Sequence, residues 1–285
     1  MTAPNPNPGP PVDTVDLFPG ERAAMLDLLS SLAPHEWALP TVAEGWTVHD
    51  LALHILLGDI GWVSSHRDRH HVFTDAPSGD LTDLSQLVAY INELNARWLT
   101  GARRISPPLT ITFLRAIDPE MNAVLRRHDL SALNGPVDWA GPGPQPLWLN
   151  VARQYTERWV HQQQIRDATS RPGLTERHWM HPVLDTFARA LPFTLRDIDA
   201  PTGAVAMLVI DGPAGGTWPV VRTDGDWVPD PAPVNAPAAT VTLHQDDAWR
   251  LMTKGITPGQ ARARAEIAGN PAITEAMLHM VAILA

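Results

Sequence analysis

Glu157 and His161 stand four residues apart in an E-x-x-x-H pair, a spacing that puts both side chains on one face of a helix, one turn from each other. A third ligand type, His54, lies about a hundred residues earlier in a segment of helical character. Helix bundles build metal sites from side chains on facing helices. Two imidazoles and one carboxylate would leave open positions on a divalent ion, the pattern of a catalytic rather than a structural zinc site. Spacing alone leaves a second reading open: Glu157 pairs with Arg153 on a solvated face, and His54 is a hydrogen-bonded core histidine. The chain has no cysteine, which excludes disulfides, thiolate metal sites and cysteine nucleophiles. Any metal must therefore be held by His, Asp or Glu.

The residues around these three bear on the choice. One and two turns past His54 stand Gly58 and Gly61, each costing a helix about 1 kcal/mol relative to Ala. Two missing side chains beside a histidine clear room for a ligand. Asn150, Gln154, Glu157, His161 and Gln164 form a polar stripe along a segment whose other faces carry Leu147, Trp148, Val151, Tyr155, Trp159 and Val160. If that helix is buried all round, the stripe must face partners or a wet cavity, because buried polar groups without partners are costly. His66, His70 and His71 form a polar run at a helix end and read as a solvated terminus. His178 and His181 read as packing or capping residues, and the glycines at 212–216 as a strand connection, since no Gly-Lys-Ser/Thr follows.

Helices must position these groups. Apolar periodicity predicts helices over 21–32, 47–67, 84–104, 109–127, 147–168 and 176–191. Thr47-Val48-His49-Asp50 has the capping-box spacing that opens the second of them. After Pro201 the pattern changes: 204–210 and 216–222 read as strands, Asp224-Gly225 as a hairpin turn, 239–243 as a further strand, and 246–253 and 271–284 as closing helices. The 28 prolines crowd residues 4–11, 136–146 and 201–237. We expect a frayed arm over 1–15, a helical domain over 16–199 and a small α+β domain over 200–285.

The formal charge is −10, with 21 basic and 31 acidic residues, and no basic cluster offsets it, which disfavours nucleic acid and anionic lipid as partners. Lys254 is the only lysine, so Schiff-base chemistry would rest on one residue near the end. No segment reaches the roughly 18 apolar residues of a membrane span, and no signal-peptide pattern opens the chain. The expectation is a cytoplasmic protein.

The segments Glu44-Gly45-Trp46-Thr47-Val48-His49-Asp50-Leu51-Ala52-Leu53-His54 and Tyr155-Thr156-Glu157-Arg158-Trp159-Val160-His161-Gln162-Gln163-Gln164-Ile165-Arg166-Asp167-Ala168 resemble the mycothiol-dependent maleylpyruvate isomerase family, within the DinB-like metal-enzyme superfamily. The stretch from Ile91 to Trp98 is similar to members of the same group. Ala248-Trp249-Arg250-Leu251-Met252 and Ala268-Gly269-Asn270-Pro271 resemble the small sterol-carrier-like domain that follows the bundle there. The resemblance implies a mixed α and α+β chain, with a DinB-like four-helix bundle ahead of that domain. It implies a divalent metal, usually Zn2+, on His54, Glu157 and His161, and mycothiol as a thiol co-substrate.

On this reading Gly58, Gly61 and Gln164 border the thiol, and Arg97 and Arg115 are candidates to hold a substrate carboxylate. The stretch from Ala102 to Gln145 would roof the pocket. The implied activity is an isomerase or S-transferase acting on a small electrophile. Two alternatives stand beside it: a metal-dependent hydrolase that activates water, and a non-catalytic binding protein whose smaller domain holds an apolar molecule.

Overall fold

Proline, serine and threonine set where the helices of this protein begin. The computed structural model describes residues 7–70, 84–230 and 236–282. Helix α1 (Phe18–Ser30) carries a proline in its first turn, where the missing amide costs nothing. Helix α2 (Val48–Trp62) opens with the expected capping box: Asp50 N donates to Thr47 Oγ1 over 3.2 Å, and Thr47 N donates to Asp50 Oδ2 over 2.9 Å. Helices α3 (Leu84–Ala102), α4 (Pro107–Arg127) and α5 (Leu147–Ala168) follow. The second helix was expected to run to residue 67, but regular α geometry stops at Trp62 and a single π turn, Val63–Arg67, takes over. Gly58 and Gly61 weaken the helix just ahead of that point, and Ser65 Oγ donates to the Gly61 carbonyl over 2.7 Å.

The chain divides into two units. One comprises Thr14–Asp129 with Gln154–Leu174, the other Met1–Asp13, Leu130–Arg153 and Thr175–Leu284. The division does not follow the boundary near residue 200 that composition indicates, because 130–153 and 175–199 group with the C-terminal sheet. Residues 1–6 of the expected arm lie outside the described residues. The rest of it is held rather than frayed: Arg189 donates to the Pro8 carbonyl over 3.1 Å, and Val12 and Thr14 are buried.

In the helical unit α4 packs on α1 and α2, and α3 lies against α2. Met25, Leu28, Leu29, Leu51, Ile55, Leu56, Leu114 and Ile165 meet in its core. The stretch from Ala102 to Gln145, expected as a roof, is divided. Helix α4 supplies Leu114 to the core itself, and residues 133–146 form a hairpin of the other unit.

That hairpin pairs β1 (Leu133–Val137) with β2 (Gly141–Pro146) and is absent from the sequence reading. Its strands, LNGPV and GPGPQP, hold almost no β-branched residues and four prolines, so the residue-type signal for a strand is missing. The same unit holds α6 (Arg177–Ala188), α7 (Leu191–Thr194), β3 (Val205–Asp211), β4 (Gly216–Arg222), β5 (Trp227–Pro229), β6 (Ala239–His244), α8 (Gln245–Met252), α9 (Pro258–Arg262), β7 (Glu266–Gly269) and α10 (Pro271–Leu278). The last five strands form one sheet ordered β5-β4-β3-β6-β7, parallel only between β3 and β6. Ala206, Leu208, Ile210, Ala239, Val241 and Leu243 alternate into its core. The α+β expectation for this part of the chain holds. The final helix was expected to reach residue 284 but ends at Leu278, and 283–285 lie outside the described residues.

Inside the helical unit a set of buried charges fixes α5. Asp59 of α2 is fully buried between two guanidiniums: Arg158 Nε of α5 donates to its Oδ1 over 3.0 Å, and Arg22 of α1 donates to its Oδ2. Gln162, one turn beyond Arg158, donates to Glu21 Oε1 over 2.7 Å, and Arg158 lies over the Phe18 ring at 4.8 Å. Burial pushes the Glu21 carboxyl up, against the lowering by Arg22 and Arg158. Removing one partner from such a set leaves buried charge uncompensated. Asp59→Asn should therefore destabilise the protein by about 3–5 kcal/mol in urea unfolding. Arg97→Ala removes the exposed partner of an exposed Glu93 and should cost about 1 kcal/mol or less. Equal costs for the two variants would show that the buried set does not anchor the helices.

Candidate metal centre

Helices α2 and α5 run antiparallel where they meet, with His54 beside His161 and Gly58 beside Gln154. Along most of its length α5 is buried on every side, so its polar stripe must be used. It is. His54, Glu157 and His161 each present a ligand atom within 4.8 Å of the other two, the one such group of three or more His, Asp or Glu among the described residues. The two imidazole rings stand edge to face, 4.8 Å between centroids. Glu157 Oε2 lies 3.4 Å from His161 Nε2, and the Glu157 side chain keeps a quarter of its exposure while His161 keeps a twentieth. One side of the cluster therefore reaches solvent.

The nitrogen atoms bear on the two readings left open by spacing. Buried polar atoms are nearly always hydrogen-bonded, yet His54 Nδ1 and His161 Nε2 are both buried without a hydrogen-bond partner. His54 also has a hydrogen bond with Asn95. The other nitrogen of His161, Nδ1, pairs with Gln164 Oε1 at 2.8 Å. Burial, and after it the neighbouring His161, pull the pKa of His54 down to about 4; Glu157 and a hydrogen bond with Asn95 oppose this only partly. The ring is thus neutral at pH 7 with a lone pair available. Two imidazoles and a carboxylate with ligand atoms within 4.8 Å of one another are a donor set of the kind that holds a divalent cation of borderline-soft character.

The remaining candidates separate. Gln164 is buried and belongs to the cluster through His161. Gly58 faces α5, where an added Cβ would come within 3.1 Å of Gln154 Nε2, the movable end of a side chain. Gly61 is exposed and an added Cβ would meet nothing.

Arg97 and Arg115 are not brought to the three ligands. Helix α3 turns Asn95 inward, and Arg97, about 200° further round, is exposed and paired with Glu93 at 2.5 Å. On α4 Leu114 points into the core and Arg115 is exposed. His66 stacks on Trp62 at 4.1 Å and meets His128 edge to face; His71 lies outside the described residues. His181 Nδ1 lies 2.8 Å from the Ala214 carbonyl, in keeping with the packing role expected for it.

Three residues around the site complete its setting, of which Asn95 and Asp59 were given no role from the sequence. Trp46 packs edge to face on His54 at 5.0 Å, Asn95 hydrogen-bonds to it, and Asp59 anchors the helix that carries it. A carboxylate alone among apolar residues in α2 was the available signal, because such a charge needs a buried partner.

Residues 18–166, more than half of the chain, match the family described as mycothiol maleylpyruvate isomerase, N-terminal domain. The chain belongs to that family. The match includes all three residues of the cluster. No curated protein matches the chain. Two solved structures resemble the fold. The crystal structure of the mycothiol-dependent maleylpyruvate isomerase is 13% identical, with a TM-score of 0.51 over 83% of this chain and 86% of that one. A crystal structure of a histidine-to-alanine mutant of the mycothiol-dependent maleylpyruvate isomerase is 12% identical, with a TM-score of 0.53 over 89% and 91%. At such identities the likeness speaks for the fold, from the helical N-terminal region to the sheet-containing C-terminal part.

The depressed pKa of His54 has a consequence for stability. The folded state takes up this proton near pH 4, whereas an ordinary histidine, the unfolded reference, does so near 6.5. Between those values the unfolded chain binds more protons, so stability falls as pH drops through that window and is unaffected by this group above it. In metal-stripped protein, His54→Gln should flatten the fall in stability between pH 6.5 and 4, measured by urea unfolding at each pH. An unchanged slope would remove His54 as its source.

Proposed function

We propose that the chain is a metal- and mycothiol-dependent isomerase, or S-transferase, for a small electrophilic substrate such as an unsaturated carboxylate. One observation carries the reading: within the stretch that matches the family, His54, Glu157 and His161 each bring a ligand atom within 4.8 Å of the other two, and each imidazole keeps one buried nitrogen without a hydrogen-bond partner. A divalent metal, Zn2+ by the donor set, would be held by these three residues and would supply a thiol with a lowered pKa at neutral pH.

The rest is work for the chain. His54 stays uncharged at pH 7, so it does not repel a cation. Glu157 contributes the one negative charge of the set and its partial exposure marks the side from which substrates arrive. Gly58 keeps the α2 face beside His54 low, with only the Gln154 amide next to it, which leaves a thiol room. In the isomerase, a thiolate adds to an electron-poor carbon of a C=C bond and that bond becomes single. Rotation follows, and expulsion of the thiolate restores the double bond in the other geometry. In the transferase the protonated adduct leaves as product.

The helical unit is proposed as a DinB-like four-helix bundle and the C-terminal part as a sterol-carrier-like domain. All three ligands precede residue 170, so the C-terminal part is assigned substrate binding and not metal binding. A cytoplasmic location accords with a thiol co-substrate, and no described helix is long and apolar enough to cross a membrane.

Purified protein should hold about one divalent ion per chain, and His161→Ala should lose most of it by elemental analysis while keeping its circular dichroism. Turnover of an unsaturated carboxylate should need mycothiol in catalytic amounts for an isomerase, or consume it one for one for a transferase. Full metal retention in the single alanine variants of His54, Glu157 and His161 would refute the site. Turnover without any thiol would assign a hydrolase.

A further inference from the structure

Three glutamines follow one another in α5 directly after a proposed ligand, and the fold sends them in three directions. Gln162 reaches the buried Glu21. Gln163 accepts from the Leu174 amide over 3.0 Å and so ties down the chain that leaves the helix. Gln164, one turn from His161, returns to the imidazole: its Oε1 lies 2.8 Å from Nδ1, in a buried setting.

An amide oxygen only accepts, so the proton of a neutral His161 ring belongs on Nδ1. The lone pair then sits on Nε2, the atom that is buried, without a hydrogen-bond partner, and 3.4 Å from Glu157 Oε2. With the other tautomer an N–H would point into the cluster and a lone pair would face the amide oxygen.

We infer that Gln164 is a positioning residue that fixes His161 in the Nδ1–H tautomer and aims Nε2 at the cluster, and does not itself touch the thiol or substrate. This replaces the thiol-bordering role that its place on the polar stripe first indicated. The inference rests on the reading of the cluster as a metal centre. Partners of this kind orient a ligating histidine and raise its basicity, and losing one typically lowers metal affinity 10- to 100-fold.

The test uses the full-length protein and Zn2+ alone, titrated against a competing chelator, together with 15N NMR of the His161 ring in the metal-free form. Gln164→Leu should lower Zn2+ affinity about 10- to 100-fold and change the ring nitrogen shifts away from the Nδ1–H pattern. Gln164→Glu keeps an acceptor oxygen in reach and should retain both the tautomer and the affinity. Gln163→Leu is the control: it removes the hydrogen bond to Leu174 and should lower the melting temperature without moving either readout.

If Gln164→Leu kept the tautomer and bound Zn2+ within twofold of wild type, the inference would fail while the metal centre stood. If affinity fell equally in the Leu, Glu and Gln163 variants, the effect would be one of stability and the inference would also fail. If wild-type protein bound no Zn2+, the proposed function would fail, and the NMR comparison would still decide whether Gln164 sets the tautomer.

Discussion

Asp59, fully buried between the guanidiniums of Arg22 and Arg158, is the contact on which the arrangement of the helical unit depends. Taking such charges out of water is expensive, and removing one partner leaves the others uncompensated. A carboxylate held by two guanidiniums is directional and does not tolerate a slip of one residue. It therefore sets the register of α2 against α5 and ties α1 to both.

The site inherits that register. His54 lies five residues before Asp59 on α2, and Arg158 lies between Glu157 and His161 on α5. A shift of either helix by one turn, about 5.4 Å, would exceed the 4.8 Å within which the three ligand atoms now lie. Gln162 and Gln163 hold the same part of α5 from two other sides. The His54–Glu157–His161 cluster is built on helices whose positions are set by charges outside it.

Much of this was legible in the chain. The capping box at Thr47, the limits of α5 and β4, and the turn from helices to a mixed sheet after Pro201 are local matters. Each follows from backbone chemistry within a few residues, so each was readable. The β1–β2 hairpin was not, because its pairing is carried by backbone groups in segments rich in glycine and proline, where side-chain preferences point to loop. The grouping of 130–153 and 175–199 with the C-terminal sheet was hidden for a related reason: composition changes near residue 200, but compactness is decided by contacts between distant segments.

The sequence by itself determined that any metal would have to be held by His, Asp or Glu, and it set the one-turn spacing of Glu157 and His161, since absence of cysteine and the pitch of a helix are enough for these. It also carried the polar stripe on which they lie. Only the tertiary structure decided that His54 joins them, that two of the nitrogens have no other partner, and that Arg97 and Arg115 face solvent. It alone gave Gln164 to His161 and Asp59 to two arginines. The physical reason is distance along the chain. Helical pitch couples residues three or four apart, whereas the meeting of residue 54 with 161, or 59 with 158, depends on how whole helices pack, which no local pattern encodes.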